Sequence, residues 1–154
     1  MTYCVGMRLN KGLLFMSDTR SNAGVDDIAQ VKKMKTWHVP DDRVITLLSA
    51  GNLATTQAVV SVLEERTKSP DQRDPSILKE SSMFRIAELV GDVLRDIVRR
   101  YEASGQTAES VFRASLILGG QINGGQPRLF LIYPEGNFIE AAEANPFFQL
   151  GETK

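Results

Sequence analysis

The sequence is short of several things, and each shortage closes a class of function. Among its 154 residues there is one cysteine and one histidine. A single cysteine forms no internal disulfide, and with one histidine it does not assemble a zinc site from protein ligands. No motif calls for a cofactor, and a reducing cytoplasm is the expected compartment. Neither charge is in excess: 18 Lys and Arg stand against 19 Asp and Glu. That balance gives no electrostatic reason to expect nucleic acid or an anionic membrane as partner. No apolar run approaches the length that crosses a bilayer. The start, Met1-Thr2-Tyr3-Cys4, has neither the basic nor the apolar stretch of a signal peptide. Internal repeats and low-complexity tracts are absent too.

What is present is enough apolar material, 42% of residues, to build one core. We read residues 1–154 as a single domain. Tyr3 to Leu9 and Gly12 to Asp18 read as strands, joined by the hairpin signal Asn10-Lys11-Gly12. Ser21 to Asp27 reads as loop. Lys32 to Val39 and Arg43 to Ala50 read as strands around the turn Pro40-Asp41-Asp42. Leu53, Thr56, Val60 and Leu63 fall at helical spacing and predict a helix over about Asn52 to Arg66. Lys68 to Pro75, with two prolines, is a loop.

The strongest periodicity follows. Met83, Ile86, Val90, Leu94, Ile97 and Tyr101 make one apolar stripe, so a helix over about Ser82 to Tyr101 must bury that face. Ala114 to Gly119 and Arg128 to Tyr133 are expected strands. The glycine-containing stretch Gly119 to Gly125 is expected to join them as a hairpin loop; it lacks the Lys-Ser/Thr ending of a phosphate cradle. A short strand, Asn137 to Ala141, follows. Strands, two helices, then strands again argue for a layered α+β fold and not a doubly wound sheet. The segment Phe147 to Lys154 reads as apolar with no closing element. Two helices cover only one outer face of two stacked sheets. The expectation is a sequence truncated or incompletely represented at its C-terminal side.

Chemistry enters at Thr2. A threonine hydroxyl is a weak nucleophile, but if Met1 is removed the new α-amine, with an ordinary pKa of about 7.7–8.0, is a base on the same residue. Threonine at this position is also an ordinary second residue. Asp18, at the end of the second strand, falls near Thr2 if the hairpin is in register. A neighbouring edge brings Lys33 to the same place, where its ammonium would favour a negative oxygen. The plain alternative is a turn-capping Asp18 and a solvated Lys33. Gly51, between a strand and a helix, either presents an N–H to an oxyanion or simply makes a tight turn. His38 has no visible partner and is expected at the surface; Cys4 is expected in the core.

Taken together, Thr2-Tyr3-Cys4-Val5-Gly6, Phe15-Met16-Ser17-Asp18-Thr19-Arg20, Lys32-Lys33-Met34 and Ser49-Ala50-Gly51-Asn52 resemble the ordered motifs of proteasome β-type subunits. The resemblance is nearest to the bacterial branch called Anbu, the ancestral β subunit, and covers essentially the whole chain. It implies an αββα sandwich of the N-terminal-nucleophile hydrolase type, with one helical layer missing from this sequence. It implies a threonine-type peptidase acting on peptides or unfolded proteins, with Thr2 as nucleophile, Asp18 and Lys33 as supporting acid and lysine, Arg20 as a basic residue beside the acid, and Gly51 at the oxyanion. Ser21, Ser49 and Leu53 would line the pocket for the residue before the scissile bond. It implies a homo-oligomer, in a ring or an open arrangement, and leaves any ATPase partner open. Where such subunits usually carry a serine near the nucleophile, this sequence has Glu152. Two other functions fit the same residues: an amidase for small amides, and a non-catalytic assembly subunit.

Overall fold

The computed structural model describes residues 2–22, 28–68, 75–104 and 111–152. Among the described residues, ten strands and two helices follow one another as β1 (Tyr3–Leu9), β2 (Gly12–Ser17), β3 (Arg20–Asn22), β4 (Ile28–Gln30), β5 (Met34–Val39), β6 (Arg43–Gly51), α1 (Leu53–Lys68), α2 (Met83–Ser104), β7 (Ala114–Ile122), β8 (Arg128–Ile132), β9 (Phe138–Glu140) and β10 (Phe147–Gly151). The fold class is α+β, as the block order implied.

Alternation of side chains along the strands builds the layers. The larger sheet runs β5-β6-β7-β8-β9, all antiparallel neighbours. On one of its faces Ile45, Leu47, Leu116, Leu118, Phe130 and Ile132 pack with Val59 and Leu63 of α1 and with Ile86, Val90, Leu94 and Ile97 of α2. The apolar stripe of the second helix is buried as its spacing required, and Tyr101 packs against the same cluster. Residues one step along the same strands, Leu48, Ile117 and Leu129, face the other way and meet Cys4 and Phe148. Those two belong to the smaller sheet, ordered β10-β1-β2. Both helices thus cover the large sheet, and the small sheet stacks on its opposite face. The outer face of the small sheet leaves Tyr3, Leu9, Leu14, Met16 and Phe147 exposed.

Four expectations need correction. Phe147 to Gly151 is not an open apolar end but β10, paired antiparallel with β1 from Met7↔Phe147 to Tyr3↔Gly151. Its inward and outward residues alternate, with Phe148 buried and Phe147 exposed. Gly120, Gln121 and Ile122 are not loop but strand: β7 runs on past Gly119 to Ile122. A Cβ at Gly119 would come within 2.5 Å of the Phe15 ring, so its absence lets the two sheets approach. Ser21 and Asn22, read as loop, pair with Ala29 and Ile28 as part of β3 and β4; residues 23–27 lie outside the described residues. The strand expected from Lys32 begins at Met34. His38 is exposed and Cys4 fully buried, as read from the sequence.

Candidate active site at the start of the first strand

Hairpin register explains why Thr2 and Asp18 are neighbours. Six residue pairs from Leu9↔Gly12 to Cys4↔Ser17 carry the ladder to its open end. There the Asp18 N–H donates to the Tyr3 carbonyl at 3.0 Å, and the Tyr3 N–H donates to Asp18 Oδ1 at 2.8 Å. Asp18 Oδ2 accepts the Arg20 N–H at 3.0 Å. The carboxylate is therefore locked by two backbone donors beside the first residue of the strand.

Lys33 arrives from the other sheet. The Ser49 N–H of β6 donates to the Lys33 carbonyl at 3.0 Å, which fixes its backbone just ahead of β5. Its side chain is 7% exposed. Its ammonium donates to Asp18 Oδ1 at 2.9 Å and Oδ2 at 2.8 Å, to the Arg20 carbonyl at 2.5 Å, and to Thr2 Oγ1 at 3.0 Å. An ammonium this buried needs its charge met, and Asp18 meets it. Partial burial pushes the Asp18 carboxyl up, but the Lys33 hydrogen bond, the Tyr3 and Arg20 N–H donors and the lysine's charge outweigh it, and its pKa falls from 3.8 to about 2.

Thr2 is also gripped through its backbone. The Glu152 N–H, just past β10, donates to the Thr2 carbonyl at 3.1 Å. The residue before it, Gly151, has φ +109°, and a Cβ built there would lie 1.7 Å from the Thr2 carbonyl oxygen. Only glycine combines that dihedral with that approach. Neither contact was visible from composition or spacing, although Phe-Phe-Gln-Leu-Gly does carry the alternation of a short strand.

Gly51 closes β6 with φ +114°, and a Cβ there would meet the Arg113 carbonyl at 2.6 Å. The next residue, Asn52, donates its N–H to that same carbonyl at 3.0 Å, toward β7. Because N–H groups alternate between the two edges of a strand, Gly51 directs its own N–H to the edge where Ser49 meets Lys33. Asn52 then caps α1, its Oδ1 accepting the Thr55 N–H at 3.0 Å.

Arg20 reaches the site through its backbone N–H and carbonyl, not through its exposed guanidinium. Ser21 is placed in β3 opposite Ala29. Ser49 and Leu53 both line a cleft of about 430 Å³ that opens beside Lys33, between β5 and α1. Lys32, Lys35, Thr56 and Gln57 line it too, and none of the four was read from the sequence as a site residue. Beneath the site, the Cys4 Sγ contacts the Ser49 carbonyl at 3.7 Å. Burial pushes its thiol up, the Asp18 charge adds to this, and the opposing pull of Lys33 is too small to stop it reaching about 11. Among the described residues, no group of three or more His, Cys, Asp and Glu side chains is gathered as metal ligands would be. No helix among them is long and apolar enough to cross a membrane.

Comparison with family models and with curated proteins finds no match. Comparison with solved structures does. Anbu (ancestral beta-subunit) from Yersinia bercovieri superposes with a TM-score of 0.91 at 45% identity, covering 99% of this chain and 62% of that one. Anbu from Hyphomicrobium sp. strain MC1 gives 0.85 at 50% identity, covering 98% and 61%. The Anbu complex from Pseudomonas aeruginosa, solved as a helical assembly, gives 0.89 at 42% identity, covering 99% and 62%. The chain thus spans about three fifths of the length of these relatives. With identity at this level along nearly every residue given, the chain belongs to the Anbu, or ancestral β-subunit, family.

Proposed function

We propose that the protein is a threonine-type peptidase in which Thr2, exposed as the amino terminus by removal of Met1, attacks the peptide carbonyl. The observation that carries this reading is the 3.0 Å hydrogen bond from a buried, carboxylate-anchored lysine to the Thr2 hydroxyl. A surface threonine has no need of such a partner. A cation beside the oxygen favours the alkoxide character that nucleophilic attack requires.

The reaction balances with this chain's own groups. Thr2 Oγ1 bonds to the substrate carbonyl carbon, and its proton passes to the freed α-amine, directly or through one water. The carbonyl oxygen becomes an oxyanion, for which the Gly51 N–H is the donor. The carbon–nitrogen bond then breaks, the leaving amine takes the proton, and an acyl ester remains on Thr2. Water, activated by the same amine, hydrolyses the ester and restores the hydroxyl. Asp18 holds Lys33 in place throughout. A cleft large enough for an amino-acid side chain next to Lys33 favours a peptide over a small amide as substrate.

The same reading extends to the assembly. The exposed apolar face of the β10-β1-β2 sheet is a surface that a second helical layer would bury, completing an αββα sandwich. The helical assembly of the Pseudomonas aeruginosa relative supports a homo-oligomer for this protein. The test is turnover of a peptide library by protein from which Met1 is shown to be absent. Cleavage that disappears in Thr2→Ala supports the proposal. Cleavage that survives in Thr2→Ala, or an uncut library, contradicts it.

A further inference from the structure

The cleft beside Lys33 has a one-sided charge. Among its lining residues are three lysines, Lys32, Lys33 and Lys35, and not one carboxylate. The other polar groups on its wall, among them Ser49, Thr56 and Gln57, are neutral. The three cations are not equivalent. Lys33 is committed to Asp18 and Thr2. Lys32 is exposed and makes no ion pair among the described residues. Lys35 is half-buried and held in place: its ammonium contacts Glu64 on α1, and it sits 5.8 Å from the centre of the Trp37 ring.

Glu64 offsets the Lys35 charge only in part. It is not part of the wall, and the pair is open to solvent at 39% and 34% exposure. An ammonium has three donors, and a contact to a single Glu64 oxygen leaves others to turn toward the cleft. The pair therefore acts as a tether that places a cation on the wall, ready to make a charge-assisted hydrogen bond.

We infer that this cleft receives an acidic side chain, with Lys35 as the specificity-determining residue that binds its carboxylate and Lys32 adding to the field. This rests on the proposed peptidase reading, in which the residue before the scissile bond lies beside Thr2 and Lys33. The apolar part of the wall, Leu47, Leu53 and Val60, packs the methylenes of the incoming side chain. A basic side chain is rejected by Lys32 and Lys35, and a leucine leaves both ammonium groups without a new partner.

Two measurements test the inference separately from the chemistry. The first compares kcat/KM on peptides that differ only in Glu, Leu or Lys before the scissile bond. The second measures binding of product-like peptides ending in Glu, Leu or Lys to the Thr2→Ala protein, which reads the cleft even if no peptide is cut. The expected result is at least a tenfold preference for Glu in each measurement that gives a signal, reduced by added salt. It should be lost in Lys35→Met, with Lys favoured over Glu in Lys35→Glu. Equal or better performance of Leu or Lys with the unmodified cleft overturns the inference, as does a Glu preference that Lys35→Met leaves intact. Failure of cleavage with Glu-selective binding would sink the peptidase reading and leave the cleft's selectivity for an acidic side chain standing, whereas no measurable binding or cleavage of the Glu peptide overturns the inference.

Discussion

Lys33 Nζ lies 3.0 Å from Thr2 Oγ1 and within 2.9 Å of both carboxylate oxygens of Asp18. One ammonium thus joins the start of the small sheet to the large one, and the two residues it joins are adjacent only because the β1–β2 ladder ends in register. If this contact tunes the Thr2 oxygen, then Lys33→Ala should lower peptide turnover by about 100-fold or more. Lys33→Arg should not restore it, because a planar guanidinium does not reproduce a point charge in a site shaped for an ammonium. Steady-state kinetics on both variants, with circular dichroism to verify folding, would decide the matter. Wild-type rates in Lys33→Ala would remove the lysine from the mechanism.

Acid should weaken the fold through Asp18. Its folded-state pKa, about 2, lies below the ordinary 3.8, so the ionised form is the one the fold favours. The stabilisation is complete above about pH 5 and fades as pH falls through the unfolded and then the folded value. Urea midpoints measured between pH 5 and 2 should fall more steeply for the natural protein than for Asp18→Asn, in which that titration is gone. Parallel curves would show that Asp18 makes no such contribution.

Gly151 should tolerate no side chain. A methyl there faces both φ +109° and a 1.7 Å collision with the Thr2 carbonyl. Gly151→Ala should cost about 3 kcal/mol or more, among the larger effects of single changes. Gly124 is the control: its φ is +80°, but nothing lies within 4 Å of a Cβ there. Gly124→Ala should cost only the backbone term, about 1–2 kcal/mol. Denaturant unfolding of the two variants measures the difference, and similar losses would show that β10 does not pin Thr2.

The Cys4 thiol should be inert in the folded protein. It is fully buried, and its pKa is pushed up to about 11. At pH 8 the thiolate is scarce and screened from reagent. Iodoacetamide should leave the native protein unmodified and label it once after denaturation, as read by mass spectrometry. Rapid native labelling would mean that the sheet interface above Cys4 opens readily.

The elements with strong periodicity were legible in the sequence. Helix α2 needed no partner to be seen, because its apolar stripe runs through about five turns from Met83 to Tyr101. The β1–β2 hairpin was equally clear, and with it the meeting of Thr2 and Asp18. Pairing between distant segments was not. β10 is five residues long and pairs with β1 across most of the sequence, so its brief alternation gave no hint of that partner. The Gly119–Gly120 stretch misled for a related reason: glycine signals a turn locally, but here Gly119 makes room for Phe15 of another sheet and Gly120 for the Val44 carbonyl of β6. In the site, the motif residues came from resemblance, whereas the grip of Gly151 and Glu152 on Thr2 and the lysine-lined cleft depend on tertiary placement. Arg20 marks the limit of residue-type reasoning, since its backbone and not its charge meets Lys33 and Asp18.

The most direct test is intact-mass and peptide-mapping analysis of Met1-free protein after exposure to an epoxyketone or β-lactone, electrophiles that trap a nucleophilic hydroxyl. The account predicts one adduct per chain, located on Thr2 and absent from Thr2→Ala and from protein that retains Met1. A fully folded, Met1-free protein that stays unmodified, or that carries the adduct on another residue, would contradict it.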